Sequence, residues 1–195
     1  MAADSVSSGF DGLEDLVGAI NFAAVKHSKQ RRKDEEKTPY INHPIGVMDI
    51  LCNEAGIRDL AVLKAAVLHD TVEDTDTTLD EVEENFGAHV RSVVAEVTDD
   101  KSLPKQERKR LQVVNAPHKS REAKLVKLAD KLYNLRDLSI STPSGWSEGR
   151  VQEYFVWASQ VVKGLSGTCK VLEDKLADVL AKKGIRLETI VSEAE

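Results

Sequence analysis

The sequence predicts an all-α fold, a single helical bundle, on three observations. Aromatic residues are only 5% of the chain, so a core must be built from Leu, Val, Ile and Ala, a composition that favours helices over sheets. Apolar residues recur at three- and four-residue spacing along most of the chain, and no segment shows the alternation of a half-buried strand. The 195 residues suit one compact domain, large enough to bury a core without disulfides or structural metal.

The elements follow in order. Roughly the first eight residues read as a loose tail. Asp11 to Gln30 reads as a helix carried by Leu13, Leu16, Val17, Ile20, Ala23 and Ala24. It ends in the basic cluster Lys29, Arg31, Arg32 and Lys33, which by itself indicates no ligand, because cations near a helix C-terminus are favourable in any protein. His43-Pro44 opens a second helix with proline at its first position, placing His43 at the cap. Ile45, Val47, Met48, Ile50 and Leu51 carry it to about Glu54, and Gly56 stops it. A third helix spans Arg58 to about Thr71. Thr78 and Glu81 fit a capping box for a short helix to Phe86; Gly87 punctuates, and Ala88 to Val97 continues helically. Pro104 to about Ala116, Ser120 to Ser139, Trp146 to Leu165 and Thr168 to Lys182 complete the set.

Bulk properties exclude several classes. A net charge of -6 and the lack of aromatic–basic interleaving argue against nucleic acid as a partner. No apolar run approaches the ~20 residues of a membrane span, and MAADSVSSGF does not read as a secretory signal. Cys52 and Cys169 stand far apart, outside any metal-ligand spacing, and read as reduced thiols of a cytoplasmic protein. Charge is segregated: Asp70–Asp100 holds 11 acids against one base, and Lys101–Arg136 holds 11 bases against three acids. That juxtaposition suits a metal site facing an anionic substrate, although most of these residues read equally well as solvated helix faces.

Chemistry concentrates in two stretches. The third helix is apolar nearly all round from Leu60 to Leu68, interrupted only by Lys64, and ends abruptly in His69-Asp70 with Glu73 and Asp74 one turn on. One imidazole and three carboxylates at the end of a buried helix repel unless a cation sits among them. The spacing alone leaves a second reading open, a solvated helix end beside a hydrogen-bonded core histidine. In KLADKLYNLRDL the stripe Leu125, Leu128, Ala129, Leu132 and Leu135 packs inward. Asp130, Tyr133, Asn134 and Asp137 share a flank beside it, while Lys127 and Lys131 read as the ordinary polar side of the helix.

Together these residues carry a resemblance. His43, then His69-Asp70, then Asp130 resembles the H…HD…D signature of the HD phosphohydrolases. RRKDEEKTPYINHP, VLHDTVEDT and KLADKLYNLRDL resemble the pyrophosphohydrolase domain of the RelA/SpoT stringent-response enzymes, in its stand-alone metazoan form, over about Leu13 to Leu180. The resemblance implies a single HD-domain helical bundle over residues 11–183, with a flexible tail over 1–10 and a C-terminal tail over 184–195.

It also implies roles. His43, His69, Asp70 and Asp130 would bind one manganese ion, a donor set chemically suited to it. Glu73 and Asp74 would position and deprotonate the attacking water. Arg32 and Lys33 would meet the guanine base and a nearby phosphate, and Asn134 the nucleoside; Tyr133 joins them on its helical position alone. Two features depart from many bacterial relatives: a longer loop between Lys33 and Tyr40, and Asp137 where a threonine often lines the nucleoside pocket. With no residues left for a synthetase or regulatory domain, hydrolysis alone is expected. The expected substrate is a small anionic nucleotide, guanosine 3′,5′-bis(diphosphate), losing its 3′-pyrophosphate to give GDP. Removal of the 2′-phosphate of NADPH by the same site is the alternative, and a non-catalytic nucleotide-sensing module is the third reading.

Overall fold

The computed structural model describes residues 11–187; the tail expected over 1–10 and the end of the one expected over 184–195 lie outside the described residues. Within them the fold is all-α, with one isolated antiparallel bridge between Arg31 and Pro39 in place of any strand. The helices are α1 (Asp11–Lys26), α2 (Asn42–Asp49, running into a π turn at Ile50–Glu54), α3 (Leu60–Leu68), α4 (Thr71–Asp74) and α5 (Leu79–Val97). After them come α6 (Lys105–Asn115), α7 (Arg121–Ile140), α8 (Glu148–Gly164) and α9 (Lys170–Ala181).

Local chemistry explains most boundaries. Asp59 caps α3 by accepting from the amides of Ala61 and Val62. Thr78, Ser120 and Ser147 cap α5, α7 and α8 by accepting from the amide three residues on. Gly87, at φ 87° and ψ 161°, kinks α5 where the sequence placed a break.

Three boundaries differ from expectation. First, α1 ends at Lys26 rather than Gln30, because the chain turns there: Gln30 N donates to His27 O at 2.9 Å, and Tyr40 N donates to Gln30 O at 3.1 Å. Second, His43 lies inside the first turn of α2, with Ile41 at the cap, because Asn42 N and His43 N already bond Pro39 O and Tyr40 O. Third, the helix expected through Thr71 breaks after Leu68. The Thr71 hydroxyl donates to Leu68 O at 2.7 Å, and His69 Nδ1 bonds Ala66 O at 2.7 Å. These side-chain bonds compete with the helical ladder and let Asp70 start a new turn.

Two helices form the centre. α3 packs against α1, α2, α5 and α7; α7 packs against α2, α3, α5, α8 and α9. Every residue of α7 from Leu125 to Leu132 is buried, so the helix carries Lys127, Asp130 and Lys131 into the interior along with its leucines. The reading of Lys127 and Lys131 as an ordinary polar face is therefore corrected: covering the helix on all sides leaves it no solvent face there. Ile185 and Leu187 still pack against the core beyond α9.

Candidate active site

Four side chains from three segments converge at the buried junction of α2, α3 and α7. His43, His69 and Asp130 each offer a ligand atom within 4.8 Å of the others. Asp70 Oδ2 joins them, 3.0 Å from His69 Nε2 and 3.5 Å from His43 Nε2, while Asp130 Oδ1 lies 3.2 Å from His43 Nε2. The His69 Nδ1–H donates to the Ala66 carbonyl, which turns Nε2 inward; that atom is buried and finds no hydrogen-bond partner. A buried, unsatisfied imidazole nitrogen facing two carboxylates fits a divalent cation, and its anchored far nitrogen is the usual support of a metal-binding histidine.

The field of the site is negative and tightly balanced. Burial raises the Asp130 carboxyl, but Lys131 and then His43 more than offset it and hold the group well below the ordinary carboxylate range. Burial likewise opposes ionisation of Asp70, and His69 reverses it, leaving Asp70 depressed. Burial alone would lower the His69 imidazole, yet the Asp70 carboxylate lifts it to about 9, whereas His43 is lowered, chiefly by burial.

Both carboxylates are themselves held, whereas His43 Nδ1 is buried without a partner. Tyr40 donates its hydroxyl to Asp70 Oδ2 at 2.6 Å, Lys131 Nζ donates to Asp130 Oδ2 at 2.8 Å, and Asn134 Nδ2 donates to Asp130 Oδ1 at 2.7 Å. Asn134, expected among substrate contacts, thus also orients a candidate ligand. Tyr40 and Lys131 were missed in the sequence reading. Tyr40 sits in the quoted TPYINHP segment without any periodic signal, and a lysine beside an acid on a helix gives no hint that both are buried.

Two clefts lie beside this centre and share Trp146 and Tyr154 as a common wall; none of the four candidate ligands lines either one. One, of about 570 Å³, is lined by Arg32, Lys33, Tyr40, Asp74, Asn134 and Asp137. The other, of about 550 Å³, is lined by Glu73 and Asp99 and by the cations Lys105, Arg108, Lys109 and Arg150. Glu73 and Asp74 therefore face different clefts, because successive residues of α4 diverge around its axis. Burial raises the Glu73 carboxyl, with Asp99 and Asp70 adding to the effect, and Arg108 Nη1 lies 3.3 Å from its Oε1. Asp74 takes Lys101 Nζ at 2.5 Å on Oδ1 and Gln30 Nε2 at 3.2 Å on Oδ2. The basic wall of the second cleft comes from the cation-rich stretch seen in the sequence, but Arg150 lies outside that stretch and only the packing of α6 on α8 brings it in.

Arg32 lines the first cleft. Its guanidinium lies 5.9 Å from the Tyr40 ring centroid and 5.6 Å from that of Tyr133, and it pairs with Asp137. The loop that carries it is pinned: Arg32 N donates to Thr38 O at 2.8 Å, and Ser144 N to Lys33 O at 2.9 Å. Gly46 makes room for Tyr133, since a Cβ there would lie 2.1 Å from the ring.

Comparison with known proteins agrees with this geometry. The family model described as HD domain matches residues 19–154. The guanosine-3′,5′-bis(diphosphate) 3′-pyrophosphohydrolase MESH1 of Homo sapiens is 69% identical over 172 residues, covering 88% of this chain and 96% of the human one. The protein of the same name from Drosophila melanogaster is 56% identical over 166 residues, covering 85% and 93%. A solved structure, reported under the words "A metazoan ortholog of SpoT hydrolyzes ppGpp and plays a role in starvation responses", superposes with a TM-score of 0.87 at 54% identity, covering 89% of this chain and 97% of the other.

Proposed function

From the premise that this chain belongs to the HD domain family, we propose that it is a guanosine-3′,5′-bis(diphosphate) 3′-pyrophosphohydrolase that uses manganese and yields GDP and pyrophosphate. The observation that carries the reading is the convergence of two imidazoles and two carboxylates from three chain segments, beside two clefts. His43, His69, Asp70 and Asp130 would hold the ion. Bound there, it would lower the pKa of a water and offset charge on the phosphoryl oxygens.

The rest of the chemistry belongs to the chain. Glu73, with its carboxyl raised by burial and neighbouring acids, is a stronger base than an ordinary glutamate and is suited to take the proton of the water, and Asp74 orients that water from the other side. Arg32 stacks on the base and Lys33 meets a phosphate at the rim, with Tyr133, Asn134 and Asp137 completing the nucleoside side. Lys105, Arg108, Lys109 and Arg150 supply the counter-charge that a substrate with two diphosphate arms requires, and without which the acids at the centre would repel it. The cytoplasmic setting read from the sequence belongs to this proposal; no described helix is long and apolar enough to cross a membrane.

Product analysis tests the reading. Manganese-loaded protein incubated with guanosine 3′,5′-bis(diphosphate) is expected to release pyrophosphate and GDP in equal amounts. Release of inorganic phosphate from NADPH, with the guanine nucleotide left intact, would move the assignment to the 2′-phosphatase.

A further inference from the structure

His27 is buried, 1% exposed, at the end of α1, and no step above uses it. Its Nδ1 lies 2.7 Å from Gln30 Oε1, and Gln30 Nε2 donates to Asp74 Oδ2 at 3.2 Å. The direction of this chain has one solution. An ionised carboxylate only accepts, so the Gln30 amide must present its nitrogen to Asp74 and its oxygen to His27. An amide oxygen also only accepts, so Nδ1 must carry the proton. The other ring nitrogen, Nε2, is buried without a partner, which suits a bare nitrogen better than an N–H, the costlier group to leave unpaired. The backbone of Gln30 is fixed at both ends by bonds to His27 and Tyr40, which places its side chain between His27 and Asp74.

The same imidazole packs against Tyr40, with ring centroids 4.9 Å apart, and the Tyr40 hydroxyl grips Asp70. This pair of rings thus stands behind both the candidate metal centre and Asp74. We propose that His27 and Gln30 are positioning residues: the proton on His27 Nδ1 fixes the Gln30 amide, and the amide holds the Asp74 carboxylate toward the attacking water. This rests on the reading of Asp74 given above, and it adds two residues outside the metal cage, of which Gln30 also lines the first cleft.

The test is a kinetic cycle on the manganese-loaded enzyme. Gln30→Met keeps the length of the side chain and removes both bonds. It should lower kcat about tenfold, the scale of one charge-assisted hydrogen bond, with KM and manganese content unchanged. In an Asp74→Asn background the same substitution should cost nothing further. His27→Phe should reproduce the kcat loss. Because that change falls in the core, nitrogen-15 spectra of the wild-type protein supply a second readout: His27 should show a protonated Nδ1 and a bare Nε2. Additive losses in the double variant, a raised KM in place of a lowered kcat, or a proton on Nε2 would each overturn the relay. Asp74→Asn at full rate would instead strike the underlying role of Asp74, and the relay with it, while leaving the metal centre standing.

Discussion

His69 Nε2 and Asp70 Oδ2 lie 3.0 Å apart although the two residues are neighbours in the chain. In a continuous helix their side chains would diverge by about 100°. They meet because α3 stops at Leu68 and Asp70 begins a new turn, so the helix break makes the dipeptide one half of the proposed metal cage.

That cage should fail as a unit. His69→Ala is expected to abolish bound manganese and hydrolysis together, since it takes one of four ligands. Metal content by elemental analysis and the manganese-dependent rise in melting temperature both read the loss. Stoichiometric manganese in the variant would contradict the ligand assignment.

Glu73 should act on protons and leave metal holding to the cage. Glu73→Gln is expected to keep the fold and most of the manganese and to lose roughly 10²-fold or more in kcat. Burial, Asp99 and Asp70 raise its carboxyl, so the base becomes available only above the pH where an ordinary glutamate ionises. The acid limb of the rate profile should accordingly sit high. Asp99→Asn removes one like charge and should move that limb to lower pH; a shift in the opposite direction would exclude Glu73 as the titrating base.

Substitution of Arg32 should read as binding. Arg32→Ala is expected to raise KM for the bis(diphosphate) and leave manganese affinity alone. An electrostatic role predicts a difference that shrinks at high salt, and a stacking role one that persists. Unchanged kinetics at both ionic strengths would assign Arg32 to the surface.

Gly46→Ala probes the same wall from behind. Its new methyl would lie 2.1 Å from the Tyr133 ring, which must swing away from both His43 and Arg32. A loss of about 1–3 kcal/mol in stability and a raised KM are expected. An unchanged melting temperature would show that the ring has room to yield.

Glu54 carries a pH-dependent part of the stability. Arg136, at 2.6 and 2.9 Å, and Lys175, at 3.0 Å, hold its carboxyl down at about 2. A depressed folded-state pKa stabilises above the unfolded value of 4.5, and the contribution disappears as pH falls from there towards about 2. Glu54→Gln should cost roughly 1 kcal/mol at neutral pH, kept small because both cations are more than a third exposed. The difference between variant and wild type should vanish in acid unfolding curves below that window.

Local order was written in the chain. Amphipathic spacing set the helices, and Thr78 marked the start of one, because a cap needs only residues two or three positions away; Asp59 and Ser147 proved to be caps one residue inside the starts read from the sequence. The ligand set was legible for a different reason: His43, His69-Asp70 and Asp130 recur in order in a known family, whereas nothing in their spacing joins segments so far apart. What only the tertiary structure decided is everything that depends on distant partners. Tyr40 reaches Asp70 across 30 residues and Arg32 reaches Asp137 across 105. Lys131 became a buried counter-ion because neighbouring helices cover α7 on all sides, and Glu73 and Asp74 parted into two clefts because α4 is a single turn. Periodicity records which face of a helix is apolar; burial and pairing depend on what the rest of the chain lays against it.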